Sequence, residues 1–386
     1  MNYLHRIMTK ICFLTCLWIS SLCSLSAQIN NSLLSRRMAM NDSSEHEVHV
    51  QVYSNLFFKN NESFDPIATG YTLAGSQFQA AIHYQAVKGI DWMGGIYYRY
   101  DFGDSARSVV QPILAVQLAR NGYSLRMGSL DGNWSHRLSE VLYHYERFMQ
   151  HPNENGIQFR IQKKKFWSDS WLHWEVMEYL NSPYQEEFSV GHSSSCTLFQ
   201  TSGGIHCDML WQGLISHKGG QLDTDTQALK TLCNSSLGIR LLFQPQKKQM
   251  INEAGIQFQA MTYNDLSPQK NMVYTSGQGY YTNVWLNSSY GIQCMGAFWK
   301  GHRFLSPRGD DRFQSVAGIY GKPGHSETNR QLLIGRILYQ KSVMDVVQVD
   351  VRLEPCYDMI NKTLSYFYSL YFDFNEDILL KKLTRR

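Results

Sequence analysis

In QFQAAIHYQA, residues 77–86, Phe78, Ala80, Ile82, Tyr84 and Ala86 fall on one parity, and Gln77, Gln79, His83 and Gln85 on the other. Successive side chains of a strand point to opposite faces, so this stretch is extended, with one apolar and one polar face. The same division runs through 47–58, where Val48, Val50 and Val52 oppose Glu47, His49 and Gln51. It returns in 157–162, with Ile157, Phe159 and Ile161 against Gln158, Arg160 and Gln162. In 347–354, Val347, Val349, Val351 and Leu353 oppose Gln348, Asp350, Arg352 and Glu354.

Alternation suits a soluble sandwich as well as a membrane barrel, and the connections separate the two. Strands are expected near 46–58, 76–87, 90–102, 108–119, 122–129, 155–165, 169–179 and 187–200. Eight more are expected near 204–217, 232–245, 251–263, 279–289, 292–303, 329–340, 344–354 and 364–374. Every second connection is then short, as at Lys88-Gly89, Asn121-Gly122 and Tyr290-Gly291, while most of the others are long, above all 59–75, 130–154, 218–231, 264–278 and 304–328. Outer-membrane barrels sort their loops in this way, with short periplasmic turns and long extracellular loops, and a sandwich has no reason to. The expected fold is therefore all-β, a transmembrane antiparallel up-and-down β-barrel of about 16 strands, within about 14–18.

The ends agree with export. Arg6 and Lys10 precede an apolar run, Ile11 to Leu25, and the small residues Ser24, Ser26 and Ala27, so 1–27 reads as a signal peptide. Residues 28–45 follow as a periplasmic segment, 46–374 as the barrel and 375–386 as a charged periplasmic tail. The signal carries two bases and no acid, so its removal takes the formal charge from +4 to +2. Nothing basic enough for a nucleic-acid surface remains. Aromatic residues make up 13% and charged residues 18% of the chain, and beyond the signal no apolar run reaches the length of a spanning helix, so any crossing must be made by strands. Trp92, Phe102, Tyr123, Trp171, Trp174, Trp285, Trp299, Phe372 and Phe374 near strand ends would suit interfacial girdles. The mature cysteines, Cys196, Cys207, Cys233, Cys294 and Cys356, are scattered without metal-binding spacing and read as small strand hydrophobes.

FFKNNESFDPIATGYTLAG (57–75), LDGNWSHRLSEVLYHYERF (130–148), ENGIQF (154–159), SWLHWEVMEYLNSPYQEEFSVG (170–191) and HKGGQLDT (217–224) resemble a Bacteroidetes-type family of outer-membrane barrels of unassigned function. More distantly the chain is similar to capsule-assembly and alginate-export barrels. That similarity implies a passive channel or conduit for saccharide or polysaccharide, in contact with outer-membrane lipid, and supplies no catalytic residue. A plugged barrel serving surface binding or envelope assembly is the alternative.

The polar parity places Arg99, Asp101, Arg126, Arg160, Asp208, Arg240, Asp350 and Arg352 on the lumen face, with acids and bases interleaved. Between Arg137 and Met149 the apolar residues Leu138, Val141, Leu142, Tyr145 and Phe148 recur at helical spacing. This stripe either folds into the mouth as a constriction, with Arg137, Glu140, His144, Glu146 and Arg147 facing the lumen, or caps the rim. His192 and Ser194 in GHSSS (191–195) resemble the His-x-Ser pair of outer-membrane phospholipases and lipid A deacylases, which implies a lipid-directed hydrolase as a third reading. No orienting residue and no G-x-S-x-G elbow accompany the pair. His206 with Asp208, or His217 with Asp223 and Asp225, lacks a recognised metal spacing, and no cofactor motif is present, so neither metal nor cofactor is expected.

Overall fold

A computed structural model describes residues 45–151, 153–220, 227–247, 249–318, 322, 324–343 and 347–383. The signal segment, most of 28–45, Asp223 and Asp225 lie outside them. The strands are β1 (Glu47–Glu62), β2 (Tyr71–Val87), β3 (Ile90–Asp101), β4 (Asp104–Arg120), β5 (Tyr123–Ser129), β6 (Asn155–Gln162), β7 (Phe166–Val176) and β8 (Glu187–Gln200). They continue as β9 (Ile205–Lys218), β10 (Lys230–Phe243), β11 (Ile251–Asp265), β12 (Ser276–Ser288), β13 (Ile292–His302), β14 (Asn329–Val343), β15 (Val347–Asp358) and β16 (Thr363–Lys382). Each pairs antiparallel with its sequence neighbours, and β1 pairs with β16, closing a barrel of 16 strands. Closure removes every free sheet edge except where neighbouring strands differ in length.

The faces are inverted relative to a soluble protein. On β2 the outward Phe78 and Ile82 are 41% and 52% exposed, whereas the inward Gln77 and Gln79 are 1% and 0%. On β15, Val351 and Leu353 point out while Asp350, Arg352 and Glu354 are buried inside. Apolar residues outside and polar residues inside are what a hydrocarbon solvent around a closed barrel selects.

Short turns lie at the end where β1 begins and β16 ends. At Asn121-Gly122 both residues take positive φ, 52° and 78°, as a two-residue hairpin turn requires. The long connections emerge at the opposite, extracellular end, where 130–154 and 303–328 fold back into the barrel.

Three expectations are corrected. β16 does not stop at Phe374: it runs to Lys382, because Tyr53, Val52, Gln51, Val50 and His49 at the start of β1 pair with Asn375, Glu376, Asp377, Ile378 and Leu379. The charged tail is thus mostly strand. Trp171, Trp285 and Trp299 do not join a girdle, because strand parity turns them inward and all three are buried. Trp299 packs edge-on against Phe304 and Phe313 of loop 303–328. Trp92, Phe102, Tyr123 and Phe372 are exposed outside. The third correction concerns loop 130–154 and follows below. The five cysteines among the described residues sit within strands as free thiols.

Candidate functional site

β5 and β6 end early, and the chain between them turns into the lumen. At the hairpin's upper end Gly128 faces Gly156, with φ of 102° and 158°. A side chain on Gly128 would collide with the Leu114 carbonyl, so glycine lets the hairpin pass close to β4. One further bond, Leu130 N–H to the Glu154 carbonyl at 2.8 Å, holds the base of the loop.

A single 3-10 turn, Asn133–His136, then delivers His136 to the inner wall. Its Nδ1 lies 2.9 Å from Asp169 Oδ2 and its Nε2 2.8 Å from Glu154 Oε2, and its ring stacks on Trp171 at 3.5 Å. Burial opposes the charge on His136, but the Glu154 and Asp169 carboxylates outweigh it and raise the imidazole to about 9. An imidazolium donating from both nitrogens has no lone pair for general-base work. Its role is to anchor the loop.

Continuous helix over Arg137–Met149 is not what forms; only Arg147–Gln150 makes a helical turn. Backbone groups that a helix would use are committed to loop 303–328: Asp310 N–H donates to the Glu140 carbonyl and His144 N–H to the Arg308 carbonyl. The apolar stripe is nevertheless buried. Val141 and Leu142 join the core made by Trp299, Phe304, Phe313 and the inner faces of β10–β15, while Tyr145 and Phe148 pack with Phe57 and Tyr371.

The polar side chains of the loop reach the far wall. Glu146 accepts from Lys59 of β1 and from the Tyr71 hydroxyl of β2. Burial would raise the Glu146 carboxyl, but the Lys59 ammonium and then His144 hold it below the ordinary range. Glu140 pairs with Arg336 of β14 and accepts from Tyr281 of β12 at 2.7 Å. Arg336 also donates to Glu354 of β15 at 2.9 Å, and the Tyr145 hydroxyl reaches Glu354 at 3.2 Å. Arg147 pairs with Glu175 of β7, which Arg308 engages at 2.9 Å. Asp310 of loop 303–328 is buried with Arg312, whose guanidinium overcomes burial and holds the carboxyl far below its usual range. The loop therefore crosses the lumen from β7 to β12, β14, β15 and β1.

Among the inner-face residues picked out by parity, Asp208 and Arg240 face each other across β9 and β10 at 2.8 Å. Asp350 and Arg352 pair along β15 at 2.7 Å. Arg160 bridges Asp131 and Asp169, Arg126 is buried on β5, and Arg99 pairs with Asp101 nearer the rim. Of the loop candidates, Glu140, Glu146 and Arg147 are buried, His144 is half-buried beside Asp310, and Arg137 stays exposed over the Trp167 ring at 4.2 Å. Lys59, Glu154, Asp169 and Arg336 were not singled out by the sequence, and Glu354 was placed only on the polar face of its strand. Parity would have found Lys59 had β1 been extended past residue 58.

His192 and Ser194 both point outward, as i and i+2 must. They do not bond each other: His192 Nδ1 lies 2.8 Å from Ser170 Oγ on β7, and Ser194 Oγ contacts the Trp211 carbonyl at 3.5 Å. Cross-strand neighbours sit roughly 5 Å apart, i and i+2 roughly 7 Å, so the adjacent strand wins. His192 Nε2 has no partner among the described residues, and no group that could hold a metal occurs among them. His206 and Asp208 do not cluster, since Asp208 is committed to Arg240 and Thr197.

A closed barrel with apolar walls outside, ionised groups inside and an inserted extracellular loop defines a bacterial outer-membrane barrel. The chain belongs to the lipid A 3'-O-deacylase-type family, whose sequence profile matches residues 40–383. Among solved structures it is similar to the outer membrane protein OprD of Pseudomonas aeruginosa, at 10% identity and TM-score 0.51, covering 89% of this chain and 96% of that one. It is also similar to a loop L8 deletion mutant of OmpT of Vibrio cholerae, at 9% identity and TM-score 0.51, covering 85% and 99%. OpdK of Pseudomonas aeruginosa shares 7% identity at TM-score 0.51, with 87% and 100% covered. These likenesses concern the fold. No curated protein matches the chain.

Proposed function

We propose that the barrel is a conduit for polar solutes, of the saccharide class, constricted by loop 130–154. The observation that carries this reading is the polar wall below the loop. Gln51, Asn55, His83, Gln257 and Asn283 line the inner face, and each has at least one side-chain atom with no protein partner. Buried polar groups without partners are costly, and a polar solute or water passing along this wall would satisfy them, so this side of the lumen suits a polar rather than an apolar passenger. Above it, ionised residues from the loop and walls meet at close quarters, which is how constrictions select solutes. The solved barrels of similar fold, OprD among them, agree with the architecture such a role needs.

Planar-bilayer recording and liposome swelling test it. Wild type should conduct weakly, and deletion of 133–151 should raise single-channel conductance severalfold and flatten ion preference. A deletion barrel that folds and still passes neither ions nor sugars overturns the conduit and leaves a scaffold.

A second reading, hydrolysis of a lipid ester, is favoured by the Ser170–His192 contact on the lipid-facing wall and by the family's name. Purified protein with dispersed lipid A should then release fatty acid, and Ser170→Ala should abolish release while Ser194→Ala spares it. Equal release by wild type and Ser170→Ala ends that reading.

A further inference from the structure

We infer that a notch in the barrel wall above the β5–β6 hairpin binds one saccharide unit. β5 and β6 have 7 and 8 residues, whereas β4 has 17. The β4–β5 ladder stops at Ala115 opposite Gly128, and the β6–β7 ladder at His173 opposite Gly156. Above these pairs the facing edges of β4 and β7 have no strand between them, over roughly 35 Å of β4 at about 3.3 Å per residue. The β4 edge is adapted to this. Leu114 N–H donates to Ser129 Oγ at 3.2 Å in place of a backbone carbonyl, and Pro112, two residues higher on the same edge, has no amide to leave open.

A cavity of about 200 Å³ sits in the notch, lined by Gln111 of β4, His173, Trp174 and Glu175 of β7, Asn155 at the sill and Arg99 behind. Both charged side chains are already engaged: Arg99 donates to Asp101 and to the Gln150 carbonyl, and Glu175 holds Ser189, Arg147 and Arg308. No net charge is left to select a phosphate, a carboxylate or an amine. Instead Gln111 Oε1 and His173 Nδ1, both on the inner face, are buried without partners, and His173 is only 4% exposed. They offer an acceptor and a ring nitrogen that can donate or accept beside the cavity. An apolar guest would leave both unsatisfied. A neutral ligand whose adjacent hydroxyls both donate and accept satisfies them. The site extends the conduit reading, on which it rests only for the direction of transit.

Two sources carry this chemistry: a free glycan from the medium, or the sugar head of an outer-leaflet lipid passing the exposed Val110, Leu114 and Met127 beside the notch. The full barrel is assayed in two arms. In phosphocholine micelles, saturation-transfer NMR is run with methyl hexosides and their trisaccharides. In phosphatidylcholine nanodiscs, binding of a monohexosyl diacylglycerol is measured against lipid alone. Binding in either arm is expected, weakened at least tenfold by Gln111→Leu and by His173→Phe, which keeps an aromatic ring in place and removes the ring nitrogens. The arm that binds names the source. No binding in either arm, or equal binding by wild type and both variants, means that water alone fills the cavity and overturns the site. A barrel that conducts yet binds no sugar here defeats this inference alone; one that binds but never conducts defeats the conduit alone.

Discussion

His136 shows how a single ring is made to hold a loop. With both nitrogens on carboxylates and its value raised from 6.5 to about 9, it contributes stability fully below about pH 6.5 and loses it as pH climbs through about 9. His136→Phe keeps the stack on Trp171 but leaves Glu154 buried without its cation and Asp169 with Arg160 alone. Removing one partner of a buried ionic group typically costs about 3–5 kcal/mol. The variant should therefore unfold at clearly lower urea in a heat-modifiability gel, and an unchanged midpoint would remove His136 from the anchor. Lys59→Met poses the same question at the far wall, because Glu146 and Tyr145 both depend on that ammonium. Protease should then cut the loop near Arg137 faster than in wild type.

Two elements are set by length rather than composition. β16 carries 20 residues against 12 in β15, and its last eight hydrogen-bond only to β1. Truncation after Phe374 removes that part of the closing seam, and the folded band on an unheated gel should melt at lower temperature. A truncated barrel as heat-stable as the full one would mean that the seam above residue 374 suffices. The β5–β6 hairpin is set by Gly128, where a β-branched residue must both adopt positive φ and displace the Leu114 carbonyl. Gly128→Val should cost on the order of 1–3 kcal/mol of strain, read as a lowered urea midpoint.

For the whole barrel, the loop links folding to transport. If the His136 clamp closes the lumen, conductance at pH 10 should exceed that at pH 7 severalfold, and His136→Phe should erase the difference by opening the barrel at both. Raising salt should not mimic alkali, because the pairs from Glu140 to Arg336 and from Glu146 to Lys59 are buried, where screening reaches them poorly. A wild-type conductance indifferent to pH between 7 and 10 would separate the clamp from the gate.

The alternation around Phe78 and Ile82, the Asn121-Gly122 turn and the sorting of loop lengths were enough to read strand number, order and the inward parity of Asp208, Arg240, Asp350 and Arg352, because these depend on neighbours two residues away or on one hairpin. The end of β16 was not readable: Asn375–Lys382 alternates weakly and becomes strand only because β1 offers an edge more than 300 residues distant. Trp171, Trp285 and Trp299 look like girdle residues until the filled interior gives them something to pack on. Nor could helical spacing in Leu138–Phe148 reveal that its backbone would bond to loop 303–328, or that Glu140 and Glu146 would find Arg336 and Lys59. Those pairs join residues far apart in sequence and exist only once the barrel has closed, since it is closure that brings opposite walls within reach of a single loop and makes an unpaired charge there costly.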